Sequence, residues 1–238
     1  MIDLVNHVVV ITGAAGNLGQ ALVKAFCGAR ASLVLIDRSP DRLQKMFPAL
    51  ADPAKYFMAQ SVDVTDAASV EKMSAEAVTR FGRIDVLVNA AGGYIAGVPL
   101  HETRLETWDA MFNLNSKSVF IVSRACIPQM LRQRSGNIIN VASRAALRGE
   151  ANAAIYAASK SAVVRLTESM AAELKSAGIN VNCVLPGTLD TPINRQSMSN
   201  ADWAKWVTPQ AVADVILFLA SEQARAINGA AVPIFGGG

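Results

Sequence analysis

The chain has 238 residues, of which 52% are hydrophobic and 17% charged, so a globular protein with a large core is expected and a disordered chain is excluded. The formal net charge of +3 comes from 22 basic and 19 acidic side chains. Because the basic residues form no block that could follow a phosphate backbone, nucleic acid is disfavoured as a partner.

Short β-branched runs alternate with longer helical patterns along the chain. The strand candidates are residues 7–11, 32–36, 56–61, 84–88, 137–142, 179–184 and 230–234. Thr208-Pro209 and Ser39-Pro40 each pair a capping hydroxyl with a proline suited to the first helical position. Thr65 is a further candidate helix cap, and Gly178 is a candidate helix stop.

This alternation predicts an α/β fold, a doubly wound parallel seven-stranded sheet with helices on both faces, which is the Rossmann architecture. No internal repeat or Pro/Gly/Ser-rich linker divides the chain, so one domain is expected over residues 1–238. Ligands of such folds bind beyond the carboxyl ends of the strands, and candidate functional residues are therefore sought there.

The first strand candidate is followed by a glycine-rich turn, T-G-A-A-G-N-L-G at 12–19, that leads into an Ala/Leu-rich helix. Glycine lets the backbone turn tightly and approach a phosphate, while free N–H groups at the helix start attract negative charge. The candidate phosphate-binding residues are Gly13, Gly16, Asn17, Leu18 and Gly19.

Asp37 ends the second strand candidate, about 20 residues further on, where a carboxylate can accept hydrogen bonds from an adenosine ribose. Its charge would repel a 2′-phosphate, which favours NAD over NADP. Arg38 weakens that preference, because a neighbouring guanidinium could bind a phosphate. The alternative for Asp37 is an ordinary turn residue before the next helix.

Two further strand ends carry residues of the same kind. Asp63 and Val64 follow the third strand candidate and could contact an adenine ring and its amine, although Asp63 could also serve only as a charge near the next helix. Small residues follow the fourth strand and would let a flat ribose or nicotinamide pass, unless they only make a tight connection. They are Asn89, Ala90, Ala91 and Gly92.

The stretch 143–160 contains a serine, a tyrosine and a lysine whose spacings would suit proton transfer to or from a substrate. Tyr156 and Lys160 are four residues apart, which places them on one face of a helix. The ammonium should lower the pKa of the phenol, making it a useful proton donor or acceptor near neutral pH. Ser143, at the end of the fifth strand candidate, could hold a carbonyl oxygen. Taken alone, the Tyr-Lys pair is better explained as a solvated helix edge with a half-buried ring, and Ser143 alone as a strand-end or turn residue.

The remaining reactive side chains indicate no metal or redox site. The three cysteines stand far apart in apolar contexts, which is typical of reduced core residues in a cytoplasmic protein. Neither histidine has the spacing of a metal ligand. The start of the chain is acidic and the first apolar run is too short to cross a bilayer, so no membrane partner is expected.

Taken together, these motifs resemble those of the short-chain dehydrogenase/reductase family, in its compact single-domain branch, over essentially the full chain. The residues that carry the resemblance are the turn at 12–19, Asp63-Val64, N-A-A-G at 89–92, Asn115, Ser143, Tyr156-A-A-S-Lys160, Pro186-Gly187 and Thr191.

The resemblance implies an NAD(P)-dependent oxidoreductase, with Tyr156 as general acid/base and Lys160 both lowering its pKa and holding the nicotinamide ribose. Ser143 would position the carbonyl, and Asn115 would anchor a water that links Lys160 to solvent. Framing of the nicotinamide and its phosphates would fall to Pro186, Gly187 and Thr191. A homotetramer or homodimer is also implied, packed through the two long helices that contain Asn115 and Tyr156.

Two departures from the family pattern bear on the substrate. Asn17 stands where the family's usual fingerprint has glycine, so an altered phosphate turn is expected. The segment after Thr188 resembles dihydropteridine reductases, but those enzymes lack the serine that this chain has at Ser143. A ketone or alcohol, with 3-oxoacyl compounds among the candidates, is therefore favoured over a pteridine, and a non-catalytic nucleotide-binding protein is the third alternative.

A substrate lid is expected around 189–207. Its side chains Met198, Trp203 and Trp206 could line an apolar pocket or could only pack the lid itself.

Overall fold

The protein, described here over residues 2–237 of a computed structural model, folds around one seven-stranded sheet in which all strands run parallel. The strand order is β3-β2-β1-β4-β5-β6-β7. The strands are β1 (Val8–Thr12), β2 (Ser32–Asp37), β3 (Tyr56–Gln60), β4 (Val86–Asn89), β5 (Gly136–Val141), β6 (Ile179–Pro186) and β7 (Ala231–Ile234).

The predicted α/β doubly wound sheet is confirmed, and every predicted strand overlaps an observed one. The largest differences are at the start of β4, predicted at 84, and at the end of β6, predicted at 184. The single domain expected over 1–238 stays a prediction, and its first and last residues lie outside the described range.

Helices cover both faces of the sheet. They are α1 (Asn17–Gly28), α2 (Arg42–Met46), α3 (Ala67–Phe81), α4 (Leu105–Phe112), α5 (Ser118–Gln133), α6 (Ala154–Leu174), α7 (Pro192–Ser197) and α8 (Pro209–Leu219). Within the described chain, none of these helices is both long and apolar enough to cross a membrane.

Two apolar layers explain why the strands read as continuous hydrophobic runs. Side chains of α1, α2 and α8, such as Phe26, Leu43 and Ile216, are buried against one face of the sheet. On the other face, α3, α5 and α6 contribute side chains such as Met73 and Met130. A parallel sheet covered on both faces favours apolar residues on both sides of its strands, which is the pattern in β1 and β2.

The helix-start predictions were correct at Thr208 but wrong at Ser39 and Thr65. The Thr208 hydroxyl accepts a hydrogen bond from Ala211 N at 3.1 Å and so caps α8. The cap of α3 is Asp66, because the Thr65 hydroxyl instead donates to the Asp63 carboxylate at 2.8 Å.

After β2, the Ser39 amide donates to Asp37 and prolongs the turn, so α2 begins only at Arg42. Gly178 has a φ of +74° and ends the helical segment before β6, as predicted.

The carboxyl ends of all seven strands lie at one edge of the sheet, because every strand runs in the same direction. Chain connections lead outward from β1 to β2 on one side and from β4 to β5 on the other. This reversal opens a crevice between the ends of β1 and β4, the place where such folds bind ligands.

Candidate active site

The turn after β1 is built for close approach between backbones. Gly13 has a φ of +66°, and a Cβ there would lie only 3.0 Å from Ala91 Cα, so a side chain would force β1 and β4 apart. Gly19 lies inside α1, where a Cβ would come within 2.2 Å of Gly13 O. Gly19 therefore lets the helix pack on the turn and has a supporting role.

Thr12, which the sequence reasoning missed, ties the same turn to the next strand end. Its Oγ1 accepts hydrogen bonds from the backbone N–H groups of Ala90 and Ala91, each at 3.0 Å. The predicted small-residue segment after β4 is thereby held directly beside the glycine turn.

A cleft of about 450 Å³ opens beside this turn and contains most of the residues expected to bind the adenosine half of a dinucleotide. The predicted residues that line it are Gly13, Gly16, Asp37, Arg38, Asp63, Val64, Ala90, Ala91 and Gly92. Arg42 also lines the cleft, although no motif in the sequence indicated it. The strand-end rule thus located this cleft correctly.

Two charged groups of opposite sign stand where an adenosine ribose would lie. Asp37 is only 9% exposed, and its Oδ1 accepts a hydrogen bond from Ser39 N at 2.9 Å. Arg42 reaches back across the cleft and donates to Ala15 O at 3.2 Å. The guanidinium becomes a candidate cofactor contact only because α2 folds back toward the glycine turn.

Asp63 is ionised and oriented by its own loop. Its Oδ1 accepts hydrogen bonds from the N–H and the hydroxyl of Thr65, both at 2.8 Å. These bonds hold the pKa of the Asp63 carboxyl below its ordinary value. The carboxylate is therefore charged at neutral pH.

A second cleft, of about 770 Å³, contains the three side chains expected to do chemistry, Ser143, Tyr156 and Lys160. Leu18, Pro186 and Gly187, which were predicted to contact cofactor, also line it. This larger cleft shares Ala90 and Gly92 with the adenosine-side cleft. The two clefts therefore adjoin, as a dinucleotide that spans both would require.

Lys160 is a buried ammonium at the floor of this cleft. Its Nζ donates one hydrogen bond to Val141 O at 2.9 Å, and burial lowers the pKa of the side chain to about 8. A Cβ at Gly92 would lie 3.2 Å from this Nζ. The open space at Gly92 keeps the ammonium accessible from the cleft.

Tyr156 lies on the same face of α6 as Lys160, as predicted, but its pKa differs from the expectation. Burial raises the pKa of the phenol, and a favourable interaction with the Ser143 hydroxyl opposes that only in part. The Tyr94 and Glu150 side chains, when ionised, raise it further. The expectation of a lowered phenol pKa is therefore wrong for the chain by itself, because loss of hydration outweighs the favourable interactions.

Ser143 follows β5 and begins a short 3₁₀ turn. Its Oγ accepts a hydrogen bond from Ala145 N at 3.2 Å, which directs the side chain, and its hydroxyl proton remains available to a ligand. Ser143 and Tyr156 line the same cleft, and their hydroxyls lie close enough to interact.

Asn115 lies in a π-helical turn, Asn113–Lys117, between α4 and α5. Its Oδ1 accepts from Gly93 N at 2.9 Å, while its Nδ2 donates to Gly93 O at 3.1 Å and to Ser159 Oγ at 3.0 Å. Asn115 is fully buried and braces the loop after β4 against α6. The water expected at this residue stays a prediction.

Four other predicted cofactor contacts lie away from the walls of the two clefts. Asn89 points into the protein, where its Nδ2 donates to Asn140 Oδ1 at 2.8 Å. Thr191 caps α7 by accepting from Asn194 N at 3.2 Å. Asn17 is exposed at the start of α1, and Gly19 lies within that helix. Strand-end position alone did not reveal which way these side chains point.

In the lid region, Met198 and the two tryptophans have different roles. Met198 lines the larger cleft, together with Leu189 and Asn194. Trp203 and Trp206 instead pack near one another, with ring centroids 6.5 Å apart. Of the two interpretations of the lid, pocket lining holds for Met198 and packing within the lid holds for the tryptophans.

Three aromatic or charged residues of the larger cleft were missed because they belong to no recognisable motif. They are Tyr94, Arg144 and Glu150. Tyr94 comes shortly after the small-residue segment at 89–92, but nothing in the sequence indicated that its aromatic ring would lie in the larger cleft.

Together, the parallel sheet, the glycine turn and the cleft with Ser143, Tyr156 and Lys160 define a dinucleotide-binding oxidoreductase. The profile of the short chain dehydrogenase family matches residues 7–202. The chain therefore belongs to this family, whose enzymes use nicotinamide cofactors.

Two curated relatives align with almost the whole chain. One is the 3-oxoacyl-(acyl-carrier-protein) reductase of Thermotoga maritima, 34% identical and aligned over 98% of both chains. The other is the meso-2,3-butanediol dehydrogenase of Serratia marcescens, 37% identical over 98% of this chain and 94% of the relative. Both are named for reactions that interconvert carbonyl and hydroxyl groups.

Solved structures with the same fold include that of gox2181, with a TM-score of 0.90, 29% identity and coverage of 98% of this chain and 95% of the other. The structure of ElxO with NADP bound has a TM-score of 0.89 and 27% identity, and covers 97% of this chain and 98% of the other.

Proposed function

We propose that this protein is an NAD(P)-dependent oxidoreductase that interconverts a ketone and a secondary alcohol, with Tyr156 as general acid/base. The observation that carries the proposal is the meeting of Ser143, Tyr156 and Lys160 in one cleft that adjoins the cleft at the glycine turn.

The residues present fit a nicotinamide dinucleotide. Gly13 and Gly92 leave space where a Cβ would collide with neighbouring atoms. The N–H groups at the start of α1 suit a pyrophosphate. Lys160 uses one of its three donors on Val141 O, which leaves two for ribose hydroxyls. The adenosine half would contact Asp37 and Asp63.

The chemistry divides between cofactor and protein. A bound nicotinamide supplies the hydride acceptor for alcohol oxidation or, in its reduced form, the hydride donor for ketone reduction. Ser143 Oγ would hold the substrate oxygen. Tyr156 Oη would give a proton to that oxygen in reduction and take the proton in oxidation.

The electrostatics of the cleft favour a protonated phenol at neutral pH. Because burial raises the pKa of Tyr156, the phenol is ready to donate a proton for ketone reduction. Alcohol oxidation needs the phenolate and should therefore become faster as the pH rises toward the phenol pKa. A bound NAD⁺ would add positive charge nearby and shift that rise to lower pH.

The replacement Tyr156→Phe tests the proposed role directly. Turnover should fall by about 10²- to 10⁴-fold, the usual contribution of a general acid/base, because the ring stays and only the transferable proton is lost. Dissociation constants for NADH, measured by fluorescence titration, should change less than about twofold. Tyr56→Phe, on the distant strand β3, is the matched control.

Unchanged turnover in Tyr156→Phe would overturn the assignment. If the wild-type protein binds NADH but turns over no substrate, the non-catalytic alternative would hold instead.

The substrate class is approached with a panel followed at the NADH absorbance. It contains 3-oxoacyl thioesters, simple ketones, 2,3-butanedione and quinonoid dihydropterin. The names of the relatives support the first three. Reduction of a pteridine is a second candidate, supported by the segment after Thr188 and by the aromatic Tyr94 in the cleft. We expect carbonyl substrates to react faster, because Ser143 is present to bind their oxygen.

For the cofactor, the proposal is NAD, with NADP the less favoured alternative. Asp37 supports NAD because its carboxylate would repel a 2′-phosphate. Arg38 and Arg42 also line this cleft and would attract one, and ElxO has been solved with NADP.

A further inference from the structure

The catalytic cleft contains an aromatic side chain that the proposed chemistry does not use. The ring of Tyr94 lies against the ring of Tyr156, with centroids 4.7 Å apart and planes at 81°. Such perpendicular contacts between aromatic rings are favourable beyond the area they bury. Tyr94 is therefore the immediate neighbour of the proposed proton donor.

The position of Tyr94 is determined by a braced loop. The preceding residue, Gly93, is held at both its N–H and its carbonyl by the buried side chain of Asn115, at 2.9 and 3.1 Å. Three residues further on, Gly97 N donates to Asn152 O at 2.8 Å. Hydrogen bonds therefore hold the backbone on both sides of Tyr94, whose side chain lines the cleft.

Most of the surface of Tyr94 is exposed to solvent. Tyr94 is 69% exposed, although it lies in a cleft and touches another aromatic side chain. Met198 and Leu189 line the same cleft, so the exposed ring belongs to a partly apolar wall. A ring exposed in this way gains free energy when a ligand covers it.

We propose that Tyr94 is a specificity-determining residue that selects substrates with a flat, aromatic or conjugated group next to the reacting carbonyl. The proposal rests on the proposed function, because the position of the carbonyl follows from the role of Tyr156. With its oxygen at Tyr156 Oη, a substrate places the substituent of its carbonyl carbon within reach of the adjoining ring.

A purely structural role for Tyr94 makes a different prediction. If the ring only supported Tyr156, its removal would lower turnover equally for every substrate. A ring that contacts the substrate should instead change the KM for substrates with a flat group and leave that for small aliphatic substrates nearly unchanged. Two vicinal diketones that differ by one group separate these cases.

The experiment compares 1-phenyl-1,2-propanedione with 2,3-butanedione, which carries a methyl group in place of the phenyl ring. Wild-type protein, Tyr94→Phe and Tyr94→Leu are assayed with each diketone at saturating reduced cofactor. The leucine variant keeps apolar bulk but loses the flat ring, whereas the phenylalanine variant keeps the ring and loses only the hydroxyl. The readout is the ratio of kcat/KM for the two diketones.

We expect the wild-type protein to prefer the phenyl diketone, and Tyr94→Leu to lose about tenfold of that preference, mainly through KM. Tyr94→Phe should retain it, and NADH binding should be the same in all three proteins. A ratio within twofold of wild type in Tyr94→Leu, or an equal loss of kcat for both diketones, would overturn the inference.

A binding measurement separates this inference from the proposed function. The affinity of 1-phenyl-1,2-propanediol for the NAD⁺-loaded protein is measured by calorimetry for wild type and Tyr94→Leu. Binding that weakens in the variant, without turnover by wild type, would reject the proposed reaction and support the role of Tyr94. Equal binding by both proteins, or no binding by either, would reject the role of Tyr94.

Discussion

Lys160 is the side chain whose burial is hardest to explain by stability alone. The residue is 5% exposed, and its ammonium donates one hydrogen bond, to Val141 O. Removal of a charge from water is costly, and the pKa lowered to about 8 reflects that cost. Such a residue is consistent with selection for function at the expense of stability.

Replacement of this lysine should therefore stabilise the free protein while abolishing activity. Compared with the ordinary lysine pKa of 10.5, the lowered pKa means that the buried charge destabilises the folded protein by about 3 kcal/mol below pH 8. Replacement of the lysine removes this cost but also removes the hydrogen bond to Val141, which offsets about 1 kcal/mol of the gain. We expect Lys160→Met to raise the free energy of unfolding by about 2 kcal/mol at pH 7. Urea denaturation measures this change.

The pH dependence of the free energy of unfolding tests whether the buried Lys160 charge is the cause of this stabilisation. Between about pH 8 and 10.5 the unfolded chain binds the lysine proton more tightly than the folded chain, so wild-type stability gains from rising pH. The advantage of Lys160→Met should be complete below pH 8 and shrink above it. Lys175→Met, at an exposed lysine, is the control. A destabilised Lys160→Met variant at pH 7 would contradict the account.

Replacement of Asp37 tests the proposed preference for NAD over NADP. We expect Asp37→Ala to lower the ratio of kcat/KM for NADH over NADPH by about tenfold, because the carboxylate no longer repels a 2′-phosphate beside Arg38 and Arg42. Initial rates with each cofactor measure the ratio. Asp41→Ala, at an exposed turn residue nearby, is the control. A strong preference for NADH that survives in Asp37→Ala would mean that other residues make the choice.

At the scale of elements, the lid is a closed loop with its own internal bonds. Its ends are joined by hydrogen bonds of Asp190 N to Val207 O at 2.8 Å and of Val207 N to Thr188 O at 2.9 Å. Inside it, the Arg195 guanidinium binds Asp190 at 2.5 and 2.7 Å and lies over the Trp203 ring at 4.8 Å. These contacts position α7, whose residue Asn194 lines the larger cleft.

Loss of the Arg195 contacts should loosen the lid without unfolding the protein. We expect Arg195→Ala to raise the substrate KM severalfold and to speed chymotryptic cleavage within 189–207. The melting temperature should change little, since exposed ion pairs contribute about 1 kcal/mol or less. Arg225→Ala, which breaks another exposed ion pair, is the control. An unchanged KM and cleavage rate would show that the lid is held by other contacts.

At the scale of the whole molecule, α4 and α5 present an apolar surface that the described chain leaves uncovered. Leu105 is 82% exposed, Phe120 is 51% exposed, and the half-exposed Trp108 stacks on Phe112 with centroids 4.2 Å apart. Exposed patches of this kind are typical of protein–protein interfaces. This surface would suit the homo-oligomer that the family resemblance implies. That assembly was expected to pack through the helices of Asn115 and Tyr156, so α5, which follows Asn115, belongs to the expected interface and α4 extends it.

A charge placed in this patch should separate the subunits. We expect the double variant Trp108→Asp/Phe120→Asp to elute from size exclusion with the mass of a single chain, while the wild-type protein elutes as a dimer or tetramer. The control is Val5→Asp, at an exposed apolar residue outside the patch. A wild-type protein that is itself monomeric, or a variant that stays assembled, would contradict this interface.

The features that could be predicted from sequence are those determined by residues close together in the chain. The strands and the turn at Gly13 follow from patterns within a few residues, and Tyr156 and Lys160 share a helix face because they are four residues apart. The parallel order of strands then brings Asp37, Asp63 and Gly92 to one edge, since all carboxyl ends meet there.

Tertiary packing decided which side chains enter the clefts and how their pKa values shift. Asn89 and Thr191 turn away from the clefts because buried amides and helix ends need hydrogen-bond partners. The phenol pKa of Tyr156 rises with burial, although its spacing from Lys160 suggested the opposite. Arg42 and Tyr94 enter the site through loops whose path depends on contacts distant in sequence.

The sequence by itself thus determined the class of fold and the family, and it singled out the side chains proposed for catalysis, because these depend on periodicity and on short motifs. Only the tertiary structure decided the burial of each group, the direction of each side chain and the aromatic neighbour of the proposed proton donor. Those properties arise from contacts between segments far apart in the chain, and no local pattern contains them.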